Sequence, residues 1–474
     1  MKISDLIENW ASHPDQSINI ELKAGDVQLD QQLRHLPKRR LTCLAKWQGK
    51  TVVAKFFYGS FHKLQAEKEA LLLKALIKAK ISTPSVLLLA TLGGVTVLLI
   101  EYLEDSKSIL DWMDARPSEA EFKAIFSSVT ELLITCHQAG FEIKDPHLGN
   151  FLISKGDVFI IDAGDIQLLK TPLNPQASIN NLALLYAQLP VTFDEIAFGV
   201  LTKRLGNKLN INEKSWQTLL IKQRRWRQKR FIDKKVFREC TAYVCNKNSH
   251  RFLVAKRGFF TEDVAKALEN PDALIEQGHL LKNGQTATVA RVDIAGKQYV
   301  LKRYNIKKKV RSILKALMWS RAAISWRNGL LLEMLGIPTA KSYAFIEERV
   351  GVFRRRSYLL SELIDAPQAW DIYESEHFSE KEKTRWAEKI YELFLLLKTS
   401  QISHGDLKAQ NILCMEQTAL FIDLDGLKSD QRYQRFVSQF HKDINRFQIS
   451  WPKKWKKNPY FARYEKQLLN LDIH

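Results

Sequence analysis

Acidic residues are in short supply: 52 Asp and Glu stand against 72 Lys and Arg, a net charge of +20. Such a surface field attracts nucleic acid, anionic lipid or phosphorylated acceptors, and it says nothing about fold. Cysteine is also scarce. Cys43, Cys136, Cys240, Cys245 and Cys414 are scattered and odd in number, which excludes a disulfide framework. Cys240 and Cys245 have neither a second pair nor nearby histidines, so no zinc site is expected, and a reducing compartment is the simplest home. The N-terminus, MKISDLIENW, has no basic region leading into an apolar stretch, so no signal peptide is expected. Long apolar runs are missing. The longest, Ser85 to Ile100, falls short of the ~20 residues a spanning helix needs. Gly93-Gly94 splits it into two β-rich halves, which predicts a buried hairpin and a protein that is soluble or peripheral to a membrane.

What remains is ordinary globular composition, 45% hydrophobic and 26% charged over 474 residues, enough for two or three domains. The chain contains a repeat. Its C-terminal half has His404-Gly-Asp406-Leu-Lys408-Ala-Gln-Asn411 and then Phe421-Ile-Asp423-Leu-Asp425. Its N-terminal half has Lys144-Asp145-Pro-His147-Leu-Gly-Asn150 and then Ile160-Ile-Asp162-Ala-Gly164. Asp145 and Asp406, Asn150 and Asn411, and Asp162 and Asp423 are each 261 residues apart. So are Ser118-x-x-Glu121 and Ser379-x-x-Glu382, two helix-start signatures, so the spacing holds without insertion from helix start to second Asp.

Upstream, each half has a β-rich stretch ending in Lys (Thr51–Lys55; Gln298–Lys302), then a helical stretch, from Glu69 and from Asn328. An apolar strand ending in an acid, Glu101 or Glu362, follows in each. The boundary is expected between about Arg224 and Thr241, where the basic run RRWRQKRFIDKK intervenes. The expected fold class is α+β: two tandem bilobal kinase-like domains, about residues 1–235 and 236–474, each with a small β-rich lobe and a larger, mostly helical lobe.

This order suits phosphoryl transfer, which needs phosphates held in place, metal to neutralise charge and a carboxylate to orient the attacking hydroxyl. An Asp with an Asn five residues on fits one tight loop, with the carboxylate toward the acceptor and the amide oxygen toward a metal. A second Asp at the end of the next strand supplies another metal contact, and an upstream strand Lys can pair with the phosphates.

These motifs, with YVLKRYN and SRAAISWRNGLLLEMLGIPTAKSYAFIEER, resemble the lipopolysaccharide core kinase family (Kdo/WaaP type) within the protein-kinase-like superfamily, most strongly over about residues 280–430. The resemblance implies ATP and Mg2+ as cofactors. It makes Asp406 the catalytic base, sets Lys408 beside the transferring phosphate, and makes Asn411 and Asp423 magnesium ligands. It gives Lys302 the phosphates and puts Glu362 at the adenine hinge. Asp425 matches the family's Asp-Leu-Asp ending. The N-terminal half matches kinase logic more loosely, with Lys55, Glu69, Glu101, Asp145, Asn150 and Asp162 at the corresponding places. Its Asp-x-His-x-x-Asn loop is similar to those of aminoglycoside and atypical kinases, and His147 is expected to brace the loop rather than to bind metal or phosphate. That domain is either catalytic or kept for regulation.

Neither half has the G-x-G-x-x-G of protein kinases; Lys282–Thr288 and Lys38–Cys43 stand in its place. The partner of Lys302 stays open, since alignment puts Asn328 where the N-terminal half has Glu69, and Glu333 falls one turn later.

The implied acceptor is lipopolysaccharide core or another phosphorylated molecule, met in the cytoplasm or at the inner face of the inner membrane. The stretch from Lys302 to Arg327, with Trp319 and Trp326, and the similar mixtures at Arg224–Arg230 and Trp451–Lys457 are expected to face anionic lipid or a phosphorylated sugar acceptor. Nucleic acid ranks lower as a partner, because no RNA- or DNA-binding motif accompanies the charge. A protein or small-molecule kinase of the RIO or aminoglycoside type and a pseudokinase scaffold are the competing readings.

Overall fold

The computed structural model describes residues 2–12, 17–205, 211–305, 318–429, 432–451 and 457–470. The fold is α+β, in two compact units: residues 1–188 with 194–220, and residues 189–193 with 221–474.

The first unit opens with α1 (Ile3–Ser12) and β1 (Ile18–Ile20), β2 (Val27–Leu36), β3 (Arg40–Trp47) and β4 (Lys50–Phe57). These are followed by α2 (His62–Lys78), β5 (Val86–Leu92) and β6 (Val95–Glu101). The six strands form an antiparallel sheet in the order β1-β2-β3-β4-β6-β5. β2 begins with Val27 and Leu29 inward and Gln28 and Asp30 outward, the alternation of a half-solvated strand. β6 is buried from Val95 through Ile100, which is why its sequence is one apolar run. The expected hairpin is present: Leu92 pairs with Val95 across Gly93 and Gly94, both at positive φ.

Helices dominate the rest of this unit. β7 (Lys107–Ser108), α3 (Ile109–Asp114) and α4 (Glu119–Gln138) lead into β8 (Phe141–Ile143), β9 (Phe151–Ser154), β10 (Asp157–Ile160) and β11 (Ile166–Leu168). β9 pairs with β10 and β8 with β11. Then come α5 (Pro175–Tyr186), α6 (Asp194–Leu205) and α7 (Glu213–Arg227), which continues past Leu220 into the second unit.

In the second unit the strands are β12 (Tyr243–Lys247), β13 (Arg251–Lys256), β14 (His279–Asn283), β15 (Ala287–Ile294), β16 (Lys297–Tyr304), β17 (Ser342–Val350) and β18 (Phe353–Glu362). They form an antiparallel sheet in the order β12-β13-β17-β18-β16-β15-β14. Between them lie α8 (Glu262–Ala267), α9 (Pro271–Gln277) and α10 (Arg321–Leu335). After the sheet come α11 (Ala369–Glu374), α12 (Glu380–Ser400), β19 (Ile412–Met415), β20 (Thr418–Phe421), α13 (Tyr433–Ile449) and α14 (Ala462–Leu469). Leu253, Val264, Leu268 and Tyr358 form one core; Trp326, Phe345, Phe394, Phe440 and Phe447 belong to a larger one.

Both S-x-x-E signatures are capping boxes. Ser118 and Ser379 accept from the backbone of Glu121 and Glu382, whose carboxylates accept in return from the serine N–H groups. That starts α4 and α12 at corresponding points.

The basic segments differ from their sequence reading. Trp326 is fully buried and donates its indole N–H to Val236 O at 2.8 Å, so it does not face a lipid surface. It sits in an apolar helical stretch, and burying so large a ring outweighs its neighbours' charge. Trp319 is half-exposed, with its ring against Phe237 and under the Arg354 guanidinium. In the run RRWRQKRFIDKK, Arg224 and Arg227 are buried and Gln228 donates to Ser429 Oγ, so these side chains belong to a packed interior. Residues 306–317 and 452–456 lie outside the described residues. Among the described residues no helix is long and apolar enough to cross a membrane.

Candidate active site

In the second unit, β16 carries Lys302 between Val289 of β15 and Leu359 of β18. Its amine faces a cavity of about 670 Å³, lined also by Glu362, Lys408, Asn411 and Asp423. Lys302 Nζ lies 2.6 Å from Asp423 Oδ1. That settles the partner left open by the sequence. Glu333 instead pairs with Lys256 at 2.6 Å, and the Asn328 amide donates to the carbonyls of Leu424 and Leu427.

Asp406 sits in a loop fixed on several sides. Asn411 Nδ2 donates to Asp406 O at 2.8 Å and to its Oδ2 at 3.2 Å. The Asn411 carbonyl accepts from Ile422 N at 3.0 Å, tying the loop to the end of β20. Asp443 on α13 accepts from the N–H groups of His404 and Gly405 at 2.6 and 3.0 Å. Gly405 has φ +82°, and a Cβ there would lie 2.3 Å from Gly426 O, so only glycine lets the loop approach the turn after Asp423. Lys408 Nζ lies 3.1 Å from Asp406 Oδ2, and Arg446 pairs with Oδ1. Burial alone would raise the Asp406 pKa, but Lys408 and Arg446 outweigh it and hold the carboxyl below its ordinary value.

Asp423 stands in the left-handed region, φ 62°, immediately before a single turn that carries Asp425. A non-glycine residue there is strained and marks a position fixed by its surroundings. Burial opposes ionisation of Asp423, yet the charge and hydrogen bond of Lys302 prevail and lower its pKa. Burial and the neighbouring Asp423 charge raise that of Asp425, to which Arg321 donates.

At the strand end, Glu362 N donates to Lys341 O at 2.9 Å and its carboxylate accepts from Lys341 N at 3.2 Å. Glu101 of the first unit makes the same pair of contacts with Ser85, at 2.9 and 3.1 Å.

The likeness continues through the first unit. Lys55 on β4 pairs with Glu69 of α2 and lies 3.5 Å from Asp162 Oδ1. Asp162 is also left-handed, φ 59°. Asn150 O accepts from Ile161 N at 2.9 Å, matching Asn411 and Ile422. Thr83 Oγ1 donates to Ile160 O at 2.7 Å, matching Thr339 and Phe421 O at 2.8 Å. The Asn181 amide donates to Ile143 O at 2.7 Å, so a side chain on α5 braces this loop as Asp443 braces the other. His147 Nδ1 accepts from Gly149 N at 3.0 Å, so it does brace the Asp145 loop. Burial opposes ionisation of Asp162, but Lys55, Arg40 and Arg34 lower its pKa.

Sequence reading missed Asp443, Asn181, and the contacts of Arg446 and Arg40. Only the 262-residue spacing of Asn181 and Asp443, close to that of the repeat, hints at the first two.

Among the described residues no cluster of three or more His, Cys, Asp or Glu could hold a metal ion. Magnesium in phosphoryl transfer commonly uses one or two protein oxygens plus substrate phosphates and water. Asn411 and Asp423 fit that requirement: both line the cavity, both offer oxygen, and the Asn411 amide nitrogen is already spent on Asp406.

No curated protein matches the chain. A solved structure described as "WaaP in complex with acyl carrier protein" is 18% identical, with TM-score 0.31, over 43% of this chain and 90% of that one. The model of the Lipopolysaccharide kinase (Kdo/WaaP) family matches residues 271–460, the segment that carries Lys302, Asp406, Asn411 and Asp423. A Kdo/WaaP-like kinase domain, consistent with kinase function, is therefore present in this part of the chain.

Proposed function

We propose that the second unit is an ATP-dependent phosphotransferase acting on a sugar hydroxyl of the lipopolysaccharide inner core at the cytoplasmic face of the membrane, and that the first unit is a divergent kinase-like domain in tandem with it. The observation that carries this reading is the gathering of Lys302, Asn411 and Asp423 on one cavity, with Asp406 tied to it through Asn411, inside the matched family segment. The paired geometries at Asn150 and Asn411, Thr83 and Thr339, and Glu101 and Glu362 support the tandem arrangement.

In this reading Lys302 holds the α/β-phosphates of ATP, and the backbone beside Glu362 meets adenine. Asp406, ionised at neutral pH, accepts the proton of the acceptor hydroxyl as its oxygen bonds to the γ-phosphorus and the bond to ADP breaks. Lys408 lies beside the transferring group. Asn411 and Asp423 would hold Mg2+, which supplies charge neutralisation to the phosphates.

Mass spectrometry of core oligosaccharide from wild-type and deletion strains tests the acceptor. Loss of a phosphate is expected. Unchanged phosphate content would move the reading to a protein or small-molecule kinase.

A further inference from the structure

The two units differ in how they supply positive charge. In the second, Asp423 and Asp425 stand two residues apart, and among the described residues Lys302 is the one cation within 4.0 Å of Asp423. In the first, the place of Asp425 is taken by Gly164, 261 residues earlier, and the following Asp165 is exposed, which leaves the carboxylate of Asp162. Both of its oxygens already face cations: Oδ1 is 3.5 Å from Lys55 Nζ, and Oδ2 is 3.8 Å from Arg40 Nη2. Glu69 is engaged in the same way, by Lys55 at one oxygen and by Arg40 at the other, 3.6 Å away. Lys55 and Glu69 are buried, Arg40 is mostly so, and two positive charges balance two negative ones.

Arg40 has no counterpart at its position in the second unit. It pairs across β3 and β4 with Phe57, over whose ring its guanidinium lies at 5.6 Å. The corresponding pair in the second unit is Ala287 with Tyr304. The surrounding hairpin differs as well. Residues 34–40 read Arg-His-Leu-Pro-Lys-Arg-Arg, whereas residues 281–287, at the same offset from the strand Lys, read Leu-Lys-Asn-Gly-Gln-Thr-Ala. In this hairpin the first unit thus offers side-chain cations where the second offers Lys282, a glycine and small polar residues; the second unit's arginine is Arg321 of α10, which lies over Tyr304 and donates to Asp425 rather than to Asp423. A divalent ion on Asp162 would have to displace a guanidinium that the carboxylate already holds, and Asn150 would be its one other ligand among the residues the motif names. The first unit therefore offers magnesium the same kinds of donor as the second, but with both Asp162 oxygens already facing cations.

We propose that the first unit binds a nucleoside polyphosphate without a divalent metal, with Arg40 supplying the charge that a metal supplies in phosphoryl transfer. Asp162 then balances the charge of Arg40 and Lys55 rather than ligating an ion. This rests on reading the first unit as kinase-like. It makes that unit a nucleotide-responsive domain, since no metal would bridge the β- and γ-phosphates for transfer.

The test uses the full chain carrying Asp423→Asn, which suppresses metal-dependent binding at the second unit, with ATP titrated by calorimetry in EDTA and in excess Mg2+. One ATP is expected to bind in EDTA, with affinity changed less than about threefold by Mg2+, and Arg40→Ala should weaken it by about tenfold or more. Asp162→Asn gives the opposite sign: removing a negative charge near the phosphates should leave metal-free binding intact or tighter. Thermal unfolding of each variant checks that the unit remains folded. Binding that requires Mg2+ and is lost in Asp162→Asn would overturn the proposal while leaving the kinase-like reading in place. No ATP binding in either buffer would overturn both.

Discussion

Asp443 takes the backbone N–H of His404 at 2.6 Å, two residues before Asp406, so a helix 39 residues further along the chain sets the path of the loop that carries the candidate base. Asp443 also accepts from Gly405 N. Asp443→Ala would leave two N–H groups inside the protein without that acceptor, at about 1–3 kcal/mol for each such group. The expected outcome is a lower melting temperature with a larger fall in turnover than in ATP affinity, since in the proposed reading the loop faces the acceptor. Calorimetric melting with kcat and KM measured separately would check this. Unchanged melting would mean the loop holds its path without Asp443.

The same two residues predict a pH response. Burial pushes His404 down to about 4 and Asp443 up to about 6. An unfolded histidine titrates near ~6.5, so the stability linked to His404 is complete above that pH and is lost as pH falls toward 4. An unfolded aspartate titrates near ~3.9, so the stability linked to Asp443 is complete below that pH and is lost as pH rises through 6. Between pH 4 and 6 the two slopes oppose, each at most about 1.4 kcal/mol per pH unit. His404→Phe should therefore make the protein gain stability on acidification relative to wild type, and Asp443→Asn should make it lose stability. Melting curves of the three proteins across pH 4–7 would show the two differences with opposite sign.

Arg446 is half-exposed, so its ion pair with Asp406 adds little to stability. Its effect falls on the proton affinity of the candidate base. In the proposed reading Asp406 must be ionised to take the hydroxyl proton, and Lys408 and Arg446 keep it so at lower pH. Arg446→Ala should move the acid limb of the kcat/KM profile to higher pH while melting stays nearly constant. A limb that does not move would mean that another group controls it.

The repeat made much of this site legible. A constant 261-residue spacing announced both capping boxes and both Asp–Asn loops, because those motifs are local and their geometry follows from a few adjacent residues. The Lys302 partner was not legible. Aligning apolar helix text pointed to Asn328 or Glu333, whereas Lys302 meets Asp423, 121 residues away, through the packing of β16 near the end of β20. Arg446 and Asp443 were hidden for a related reason. The pattern of α13 shows which face is apolar, with Phe436, Phe440 and Phe447 buried, but not which polar side chain reaches the loop. Trp326 was misread because charge was counted along the chain instead of around the helix.

Lys302 and Asp423 predict separable losses. Lys302→Ala should weaken nucleotide binding and leave Asp423 without its ion-pair partner. Asp423→Asn should weaken nucleotide use only when Mg2+ is supplied. Titrating each variant with ATP in Mg2+ and in EDTA would separate the two. Identical losses in both buffers for Asp423→Asn would remove it from the proposed metal site.

The two loops can be set against each other by one pair of substitutions. Asp406→Asn keeps the shape of the side chain and its contacts with Asn411 but removes the base. A loss of roughly 10²–10⁴ in turnover is expected, the usual contribution of a general acid–base group. Asp145→Asn makes the same change in the first unit, where Gly164 replaces the second carboxylate and Arg40 occupies Asp162. If that unit binds nucleotide without transferring phosphate, Asp145→Asn should leave turnover within about threefold of wild type, the scale of an indirect effect. Both variants should melt like wild type, so that activity alone distinguishes them. Equal losses in the two variants would place catalysis in both units and would overturn the assignment of phosphoryl transfer to the second alone.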